Sequence, residues 1–450
     1  MSVVAQNNRG WVLDACSLID QGCSLCIRYN DKYKSHVRCC FKKQCFQLLQ
    51  SHYSLNAAAV LDGENKDVVQ TTVKPAKKRK RKHSELNHGE IDSQVFHAKI
   101  RSVILEGTKS LVDSAHSVGY LNGMADTGKE PLPPKECRLA ALCEMAKELP
   151  LVDSEEQEPC VQSLVAANGS TSHVDLFSRV TENKADKAVV VTLMGEDYVI
   201  PRHTAFLLSD FTHIQPLVDY GKKYDLIVMD PPWENKSVKR SRRYSSLPST
   251  QLKRLPIPVL ASSNCLVVTW VTNRPSHLRF VRDELYPHWG VEFVAEWFWV
   301  KVTTSGQFVF PLDSPHKKPY EVLVLGRYRP SADSTPRSPE KSKVSVEDQR
   351  LIVSVPSALH SQKPSLSEVL KSYIGAEAEC LELFARNLQP GWTSWGNEVL
   401  KFQHTNYFNL TLADDPEDKD EGCTDKPTIT SRSNSPEEPS AFQHCPSTLG

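Results

Sequence analysis

The chain reads as an α/β protein whose main domain is a doubly wound, mostly parallel sheet. Three observations predict this. Short apolar runs bounded by turn residues recur at 224–229, 265–271, 291–302, 320–326, 351–355 and 380–384, and continuous runs of this kind suit strands buried on both faces. Stretches at helical spacing lie between them, such as Leu366, Val369, Leu370 and Tyr373, which is the alternation of a parallel sheet with crossover helices. The first run ends directly on an acid, Asp230, and open α/β sheets carry their ligand sites at the carboxyl ends of strands.

The rest of the chain divides by texture. Residues 1–60 read as a small N-terminal domain, opened by Trp11-Val12-Leu13 and closed by Phe46-Gln47-Leu48-Leu49. Residues 61–93 read as a disordered linker carrying Lys77-Lys78-Arg79-Lys80-Arg81-Lys82; six like charges in a row repel and do not pack, and fit a nuclear import signal or a nucleic-acid contact. Residues 94–187 read as a helical middle domain, with Ile100, Val103, Ile104 and Leu111 at helical spacing and a second helix over 136–149 that Pro150 stops. A hairpin is expected at 188–201, turning at Gly195-Glu196-Asp197. The main domain spans 188–403, with a surface loop at 330–347. Residues 404–450 read as a disordered acidic tail.

Lys+Arg and Asp+Glu are equal at 54 each, so only local charge speaks to partners. No apolar run of membrane-spanning length occurs, and the N-terminus lacks the pattern of a secretory leader. The 13 cysteines are therefore expected as thiols in a reducing compartment. Cys23-x-x-Cys26 with Cys39, Cys40 and Cys45 has the spacing of half a zinc site but lacks a second paired half; the competing reading is buried thiols in a core, and no metal is assigned.

Asp230-Pro231-Pro232-Trp233 carries the chemistry. Proline has no N–H to give to a ladder or helix, which leaves the carbonyls of this segment open to donors. The exocyclic amine of adenine is a poor nucleophile because its lone pair is delocalised into the ring. The Asp230 carboxylate and the Pro231 carbonyl offer one acceptor to each amine hydrogen; holding both aims the lone pair and stabilises the developing charge. Trp233 is expected to stack on the base. The competing reading is a strand-ending acid, a rigid turn and a core tryptophan.

Over roughly 205–402 the sequence resembles the MT-A70 family of adenine-N6 methyltransferases, whose hallmark is this tetrapeptide after a strand. The likeness runs through Leu208-Ser209-Asp210-Phe211, Tyr244-Ser245-Ser246-Leu247, Trp270-Val271-Thr272, Trp299-Val300-Lys301, Lys363-Pro364, Glu382-Leu383-Phe384-Ala385-Arg386 and Trp395-Gly396-Asn397. The resemblance implies a Rossmann-like S-adenosylmethionine methyltransferase domain in permuted order, the catalytic half preceding the cofactor half. It implies that Asp230, Pro231, Pro232 and Trp233 are catalytic. It assigns the donor to Asp210, Phe211, Asp230, Lys363, Arg386, Gly396, Asn397 and Glu398, the last departing from the family's usual glutamine. Its loop at Asn387-Leu388 is shorter than in the family's messenger-RNA enzyme.

Five basic residues fall between 236 and 243, directly after the tetrapeptide, where phosphates would pass. Together with the resemblance this gives a substrate set of Trp233, Lys236, Lys239, Arg240, Arg242, Arg243, Tyr244, His316 and Lys317. The likeness implies RNA as the partner, a small nuclear RNA first of all: N6-methylation of 2′-O-methyladenosine in U2 spliceosomal RNA. DNA adenine methylation is the alternative within the class, and a non-catalytic RNA-binding scaffold the alternative outside it. A nuclear, monomeric protein with no membrane attachment is expected.

Overall fold

The computed structural model describes residues 2–30, 33–48, 88–123, 160–165, 174–234, 247–314, 317–330 and 345–413. The basic run at 77–82, the helix expected at 136–149 and the tail from 414 lie outside them. Among the described residues, 17 strands form two sheets. They are β1 (Val3–Asn7), β2 (Gly10–Leu13), β3 (Leu25–Asn30), β4 (Tyr33–Phe41), β5 (Val161–Ser163), β6 (Val180–Asn183), β7 (Ala188–Leu193), β8 (Glu196–Ile200) and β9 (Thr204–Leu207). Next come β10 (Tyr224–Met229), β11 (Ala261–Val271), β12 (Val291–Lys301), β13 (Tyr320–Tyr328), β14 (Leu351–Ser354), β15 (Cys380–Leu383), β16 (Trp392–Trp395) and β17 (Phe408–Leu412). Two helices frame the argument below, α1 (Ala15–Cys23) and α2 (His88–Ser117).

The large sheet runs β1-β2-β14-β12-β13-β11-β10-β15-β16-β9-β6-β5. Its centre, β11-β10-β15-β16-β9, is parallel throughout, and β13 is the antiparallel strand between β11 and β12. Every apolar run singled out in the main domain is a strand of this sheet. In β10, Ile227 and Met229 face one core while Leu226 and Val228 face the other, as a strand covered on both faces requires. Chain order leaves β10 toward β11 on one side, while β15 and β16 return on the other. The carboxyl end of β10 is thus a topological switch point, where loops diverge and leave a crevice.

Three domain boundaries drawn from the sequence are corrected. Residues 2–48 are not a domain of their own: β2 pairs in parallel with β14 and extends the large sheet, while β3 and β4 join β7, β8 and β17 in a second sheet of order β17-β4-β3-β7-β8. The described residues of the middle segment do not form a separate helical domain either. α2 lies across β1, β2 and β14, burying Ile100, Ile104, Leu111, Val112 and Ala115 in the larger core. Gly107 permits this approach, since a Cβ there would stand 2.4 Å from Leu351 Cδ1. The acidic tail begins later than 404, because β17 pairs with β4. The physical reason is common to all three: each segment has an apolar face too small to fold alone and buries it on the sheet.

The hairpin β7–β8 turns at Met194-Gly195, one residue earlier than expected, both with positive φ (52° and 82°). That is the mirror-image turn that matches strand twist. Of the clustered cysteines, Cys23, Cys26, Cys39 and Cys45 are buried with Val37, Phe41, Phe402 and Phe408, and Cys40 is exposed. Burial pushes the Cys45 thiol up to about 11. Among the described residues no group of His, Cys, Asp or Glu is arranged to hold a metal ion, and no helix is long and apolar enough to cross a membrane.

Candidate active site

Asp230 continues β10 by one residue, its N–H reaching the Leu383 carbonyl of β15 at 3.4 Å. The chain then turns sharply. The Trp233 N–H donates to the Pro231 carbonyl at 2.8 Å, closing a three-residue turn about Pro232. A carbonyl oxygen has two lone pairs, so Pro231 keeps one for a further donor. The Pro232 carbonyl accepts the Leu247 N–H at 3.1 Å.

The Asp230 carboxylate is held through one oxygen. Oδ2 receives Arg386 Nη1 at 2.7 Å and Lys363 Nζ at 3.2 Å; among the described residues Oδ1 has no partner. These contacts belong to an alternating chain of charges. Lys363 also meets Glu321 Oε2 at 3.3 Å, and Glu321 Oε1 meets Lys301 Nζ at 2.5 Å. On the other side Arg386 Nε meets Glu398 Oε2 at 3.1 Å, and Glu398 Oε1 meets Lys401 Nζ at 2.7 Å. Four cations therefore interleave with three carboxylates, as burial of charge demands. Burial alone would raise the Glu321 carboxyl, but Lys301 and Lys363 draw it down to about 2. Burial alone would lower Lys363 and Arg386; Asp230 with Glu321, and Asp230 with Glu398, hold them above their ordinary values. Behind Asp230, burial raises Glu382 to about 7 against the hydrogen bond from Gln389.

Beside this network, at the carboxyl ends of β9, β15 and β16, lies a cleft of about 240 Å³. Asp210, Phe211, Pro232, Arg386, Gly396, Asn397 and Glu398 line it, with Leu247, Pro248, Gln251 and Phe384. Asp210 is turned by its own loop, Oδ1 accepting the Thr212 N–H at 2.9 Å. Phe384 leaves β15 with a positive φ of 58°, a conformation unusual outside glycine, and packs against Trp395 with ring centroids 5.2 Å apart. Gly396 is required by close approach: a Cβ would meet the Ala385 oxygen at 2.9 Å and its nitrogen at 3.1 Å. Gly391, with φ of 76°, serves the turn before β16 and does not line this cleft.

The structure thus brings together Asp230, Pro231, Pro232, Asp210, Phe211, Lys363, Arg386, Gly396, Asn397 and Glu398. Trp233 is a correction. Its indole is 5% exposed, its Nε1–H donates to the Trp270 carbonyl at 2.8 Å, and one face is stacked on His277. It anchors the turn from below and does not present a face to a base, because a strand-end tryptophan finds more apolar area in the core than in the cleft. Lys236, Lys239, Arg240, Arg242, Arg243, Tyr244 and His316 lie outside the described residues. Lys317 is exposed in the connection from β12 to β13, its Nζ over the Phe310 ring at 5.2 Å. Sequence reasoning assigned no role to Lys301, Glu321, Lys401 or His277. Lys301 stood in a motif that carried the resemblance; the missing signal was its partner, which only the β12–β13 register supplies.

A doubly wound sheet with Asp-Pro-Pro-Trp at its switch point, opening on a cleft lined by Asp210, Glu398 and Arg386, is the arrangement of an amine-modifying methyltransferase. Residues 224–398 match the MT-A70 family model. The chain is 50% identical over 383 residues to the human "N(6)-adenine-specific methyltransferase METTL4", covering 84% of this chain and 79% of that protein. It is 35% identical over 229 residues to "N6-methyladenosine RNA methyltransferase MTA1" of Pyricularia oryzae (49% and 58% covered). It is 34% identical over 224 residues to "DNA N6-methyl methyltransferase" of Caenorhabditis elegans (49% and 58%). The chain belongs to the MT-A70 family of adenine-N6 methyltransferases, whose methyl donor is S-adenosylmethionine.

The cleft's residues fit that donor. Carboxylates at Asp210 and Glu398 suit amine and hydroxyl donors, the Phe211 and Phe384 rings suit an adenine, and Arg386, with Lys363 beside the cleft on Asp230, suits the amino-acid carboxylate. The absence of a side chain at Gly396 lets the Ala385 backbone pack against it at the edge of the cleft. Glu398, where the family has glutamine, keeps its charge because Lys401, three residues on, neutralises it.

Proposed function

We propose that this chain transfers the methyl group of S-adenosylmethionine to the N6 amine of adenosine in RNA, and that its target is an adenosine already carrying a 2′-O-methyl group in U2 spliceosomal RNA. The observation that carries the reaction is the pairing of two open acceptors, Asp230 Oδ1 and the second lone pair of Pro231, on one rigid turn beside the donor cleft. When bound, the donor supplies an electrophilic methyl carbon. Asp230 and Pro231 each accept one amine N–H and hold the nitrogen with its lone pair toward the cleft. As N6 takes the methyl group, the N–C bond forms while the methyl–sulfur bond breaks, its electron pair staying with sulfur in the leaving S-adenosylhomocysteine; positive charge passes to N6, and the Asp230 carboxylate stabilises it. The amine proton then leaves to water, since an alkylated amine cation is acidic.

Support for RNA comes from the relative named as an RNA methyltransferase, and for the 2′-O-methylated target from the stretches at 235–240 and 310–321 that most resemble METTL4. The relative named as a DNA methyltransferase supports a second reading, DNA adenine-N6 methylation. We assign the run at 77–82 to nuclear import, the basic segment 236–243 to phosphate contact and the chain to a monomer. Labelled-methyl transfer to oligonucleotides differing only at the target's 2′ position tests the substrate. The 2′-O-methyl form is expected to be fastest. Equal rates on 2′-deoxy and 2′-O-methyl targets sink the RNA assignment.

A further inference from the structure

The Asp-Pro-Pro-Trp turn rests on a side chain that the reaction above does not use. The His277 imidazole lies against the Trp233 indole, ring centroids 4.9 Å apart and planes 20° from parallel. His277 is 8% exposed. Its Nδ1 is 2.9 Å from Thr272 Oγ1, which fixes the ring's rotation. Burial, and then the Arg274 charge, lower its pKa to about 4 against the pull of Glu234, so at neutral pH the ring is uncharged. Three other contacts come from the end of β11 and the segment after it. The Trp270 carbonyl accepts the indole N–H, Arg274 Nη1 donates to the Glu234 carbonyl at 3.2 Å, and Asn273 Nδ2 donates to the Tyr320 carbonyl.

We propose that His277 is a positioning residue for methyl transfer: its flat face fixes the Trp233 indole and, through the Trp233 N–H bonded to the Pro231 carbonyl, fixes the acceptor that holds the substrate amine. The chain of contact is short. The Trp233 backbone nitrogen is bonded to the same Cα that carries the indole, so an indole held in place restrains that N–H, which donates to the Pro231 carbonyl. Misplacement of a reacting group by about 1 Å costs on the order of a hundredfold in rate. His277 is not itself a catalytic residue, because Trp233 stands between it and the turn's open acceptors. The inference rests on the adenine-methylation reading for its rate arm only.

The test compares His277→Ala and His277→Phe in the full chain. Three quantities are measured: kcat on an adenosine oligonucleotide, the Kd for S-adenosylhomocysteine, and amide hydrogen exchange of a peptide covering 230–234. Prolines carry no N–H, so within 230–234 only the amides of Asp230, Trp233 and Glu234 exchange. In His277→Ala, kcat is expected to fall about ten- to a hundredfold, Kd to stay within about twofold, and exchange at 230–234 to quicken. His277→Phe restores a flat face and is expected to recover kcat to within about threefold, with slow exchange. A folded His277→Ala with unchanged kcat and exchange overturns the proposal. Should the alanine variant not fold, a folded His277→Phe with kcat as low as an inactive turn also overturns it. Failure of the unaltered chain to methylate any adenosine defeats the functional reading, while the exchange comparison still decides the positioning role.

Discussion

Replacing Glu321 with glutamine isolates the charge chain around Asp230. The carboxylate sits between Lys301 at 2.5 Å and Lys363 at 3.3 Å, with its side chain 23% exposed. Burial works against its charge, and the two ammoniums overcome that and hold it at about 2 instead of 4.5. A shift of this size corresponds to about 3 kcal/mol of folded-state stabilisation at pH 7, at roughly 1.4 kcal/mol per unit. The folded value is depressed, so this stability is complete above about 4.5 and is lost as pH falls toward 2. At pH 3 less than half of it remains by the same linkage. For a folded unit of roughly 300 residues with about 2.1 cal/mol/K each, 3 kcal/mol lowers the melting temperature by roughly 5 °C. The assay is thermal unfolding of both proteins from pH 7 to pH 3. Glutamine does not titrate, so the gap between them is expected to shrink by more than half across that range. A gap that is absent at pH 7, or equal at both ends, refutes the assignment of Glu321 as a carboxylate that, with Asp230, compensates Lys363.

Two further substitutions probe the turn and the cleft. Asp230→Asn removes the carboxylate between Arg386 and Lys363 while keeping its size; methyl transfer is expected to fall by at least about a hundredfold with circular dichroism unchanged, and retained turnover contradicts the amine-acceptor role. Gly396→Ala places a Cβ 2.9 Å from the Ala385 oxygen, parting the ends of β15 and β16 at an overpacking cost of about 1–3 kcal/mol; calorimetric titration with S-adenosylhomocysteine is expected to show clearly weakened binding, and unaltered affinity means that the cleft lies elsewhere.

Legibility in the sequence followed how local each cause is. The runs at 224–229, 291–302 and 320–326 are strands because continuous apolar character is a property of the run itself, and Asp230 was found because a strand end and a functional acid are adjacent in the chain. β2 was not read as part of the same sheet, because nothing in Gly10–Leu13 says that its partner is Leu351–Ser354. The helix 88–117 was recognised by its spacing and misassigned to a domain of its own, since periodicity gives an apolar face without naming what it meets. Trp233 failed for a related reason. An aromatic beside an acid suits both a stacking platform and a core anchor, and the Trp270 carbonyl that decides between them is 37 residues away. Lys301 and Glu321 are ordinary strand-end charges until the register of two antiparallel strands sets them side by side.

Arg386 shows how the two halves of the site are joined across the permuted order. It follows β15, the strand between β10 and β16, and so reaches past the ends of both neighbours: to Asp230, the first residue after β10, through Nη1 at 2.7 Å, and to Glu398, the third after β16, through Nε at 3.1 Å. A planar guanidinium presents these donors in a fixed fork, whereas an ammonium is a single point charge on a flexible stem. Arg386→Lys therefore keeps the net charge but gives up one of the two contacts. If the lysine stays with Asp230, Glu398 is left to Lys401 alone and the cleft's acid shifts; if it turns to Glu398, Asp230 depends on Lys363. Either way both donor binding and turnover are expected to suffer, by about tenfold each, since a charge-assisted hydrogen bond contributes roughly 1.5–3 kcal/mol. The measurements are the Kd for S-adenosylhomocysteine and the single-turnover rate at saturating donor. A variant impaired in only one of the two shows that Arg386 serves one half of the site, and that the join between the halves runs through Lys363 instead.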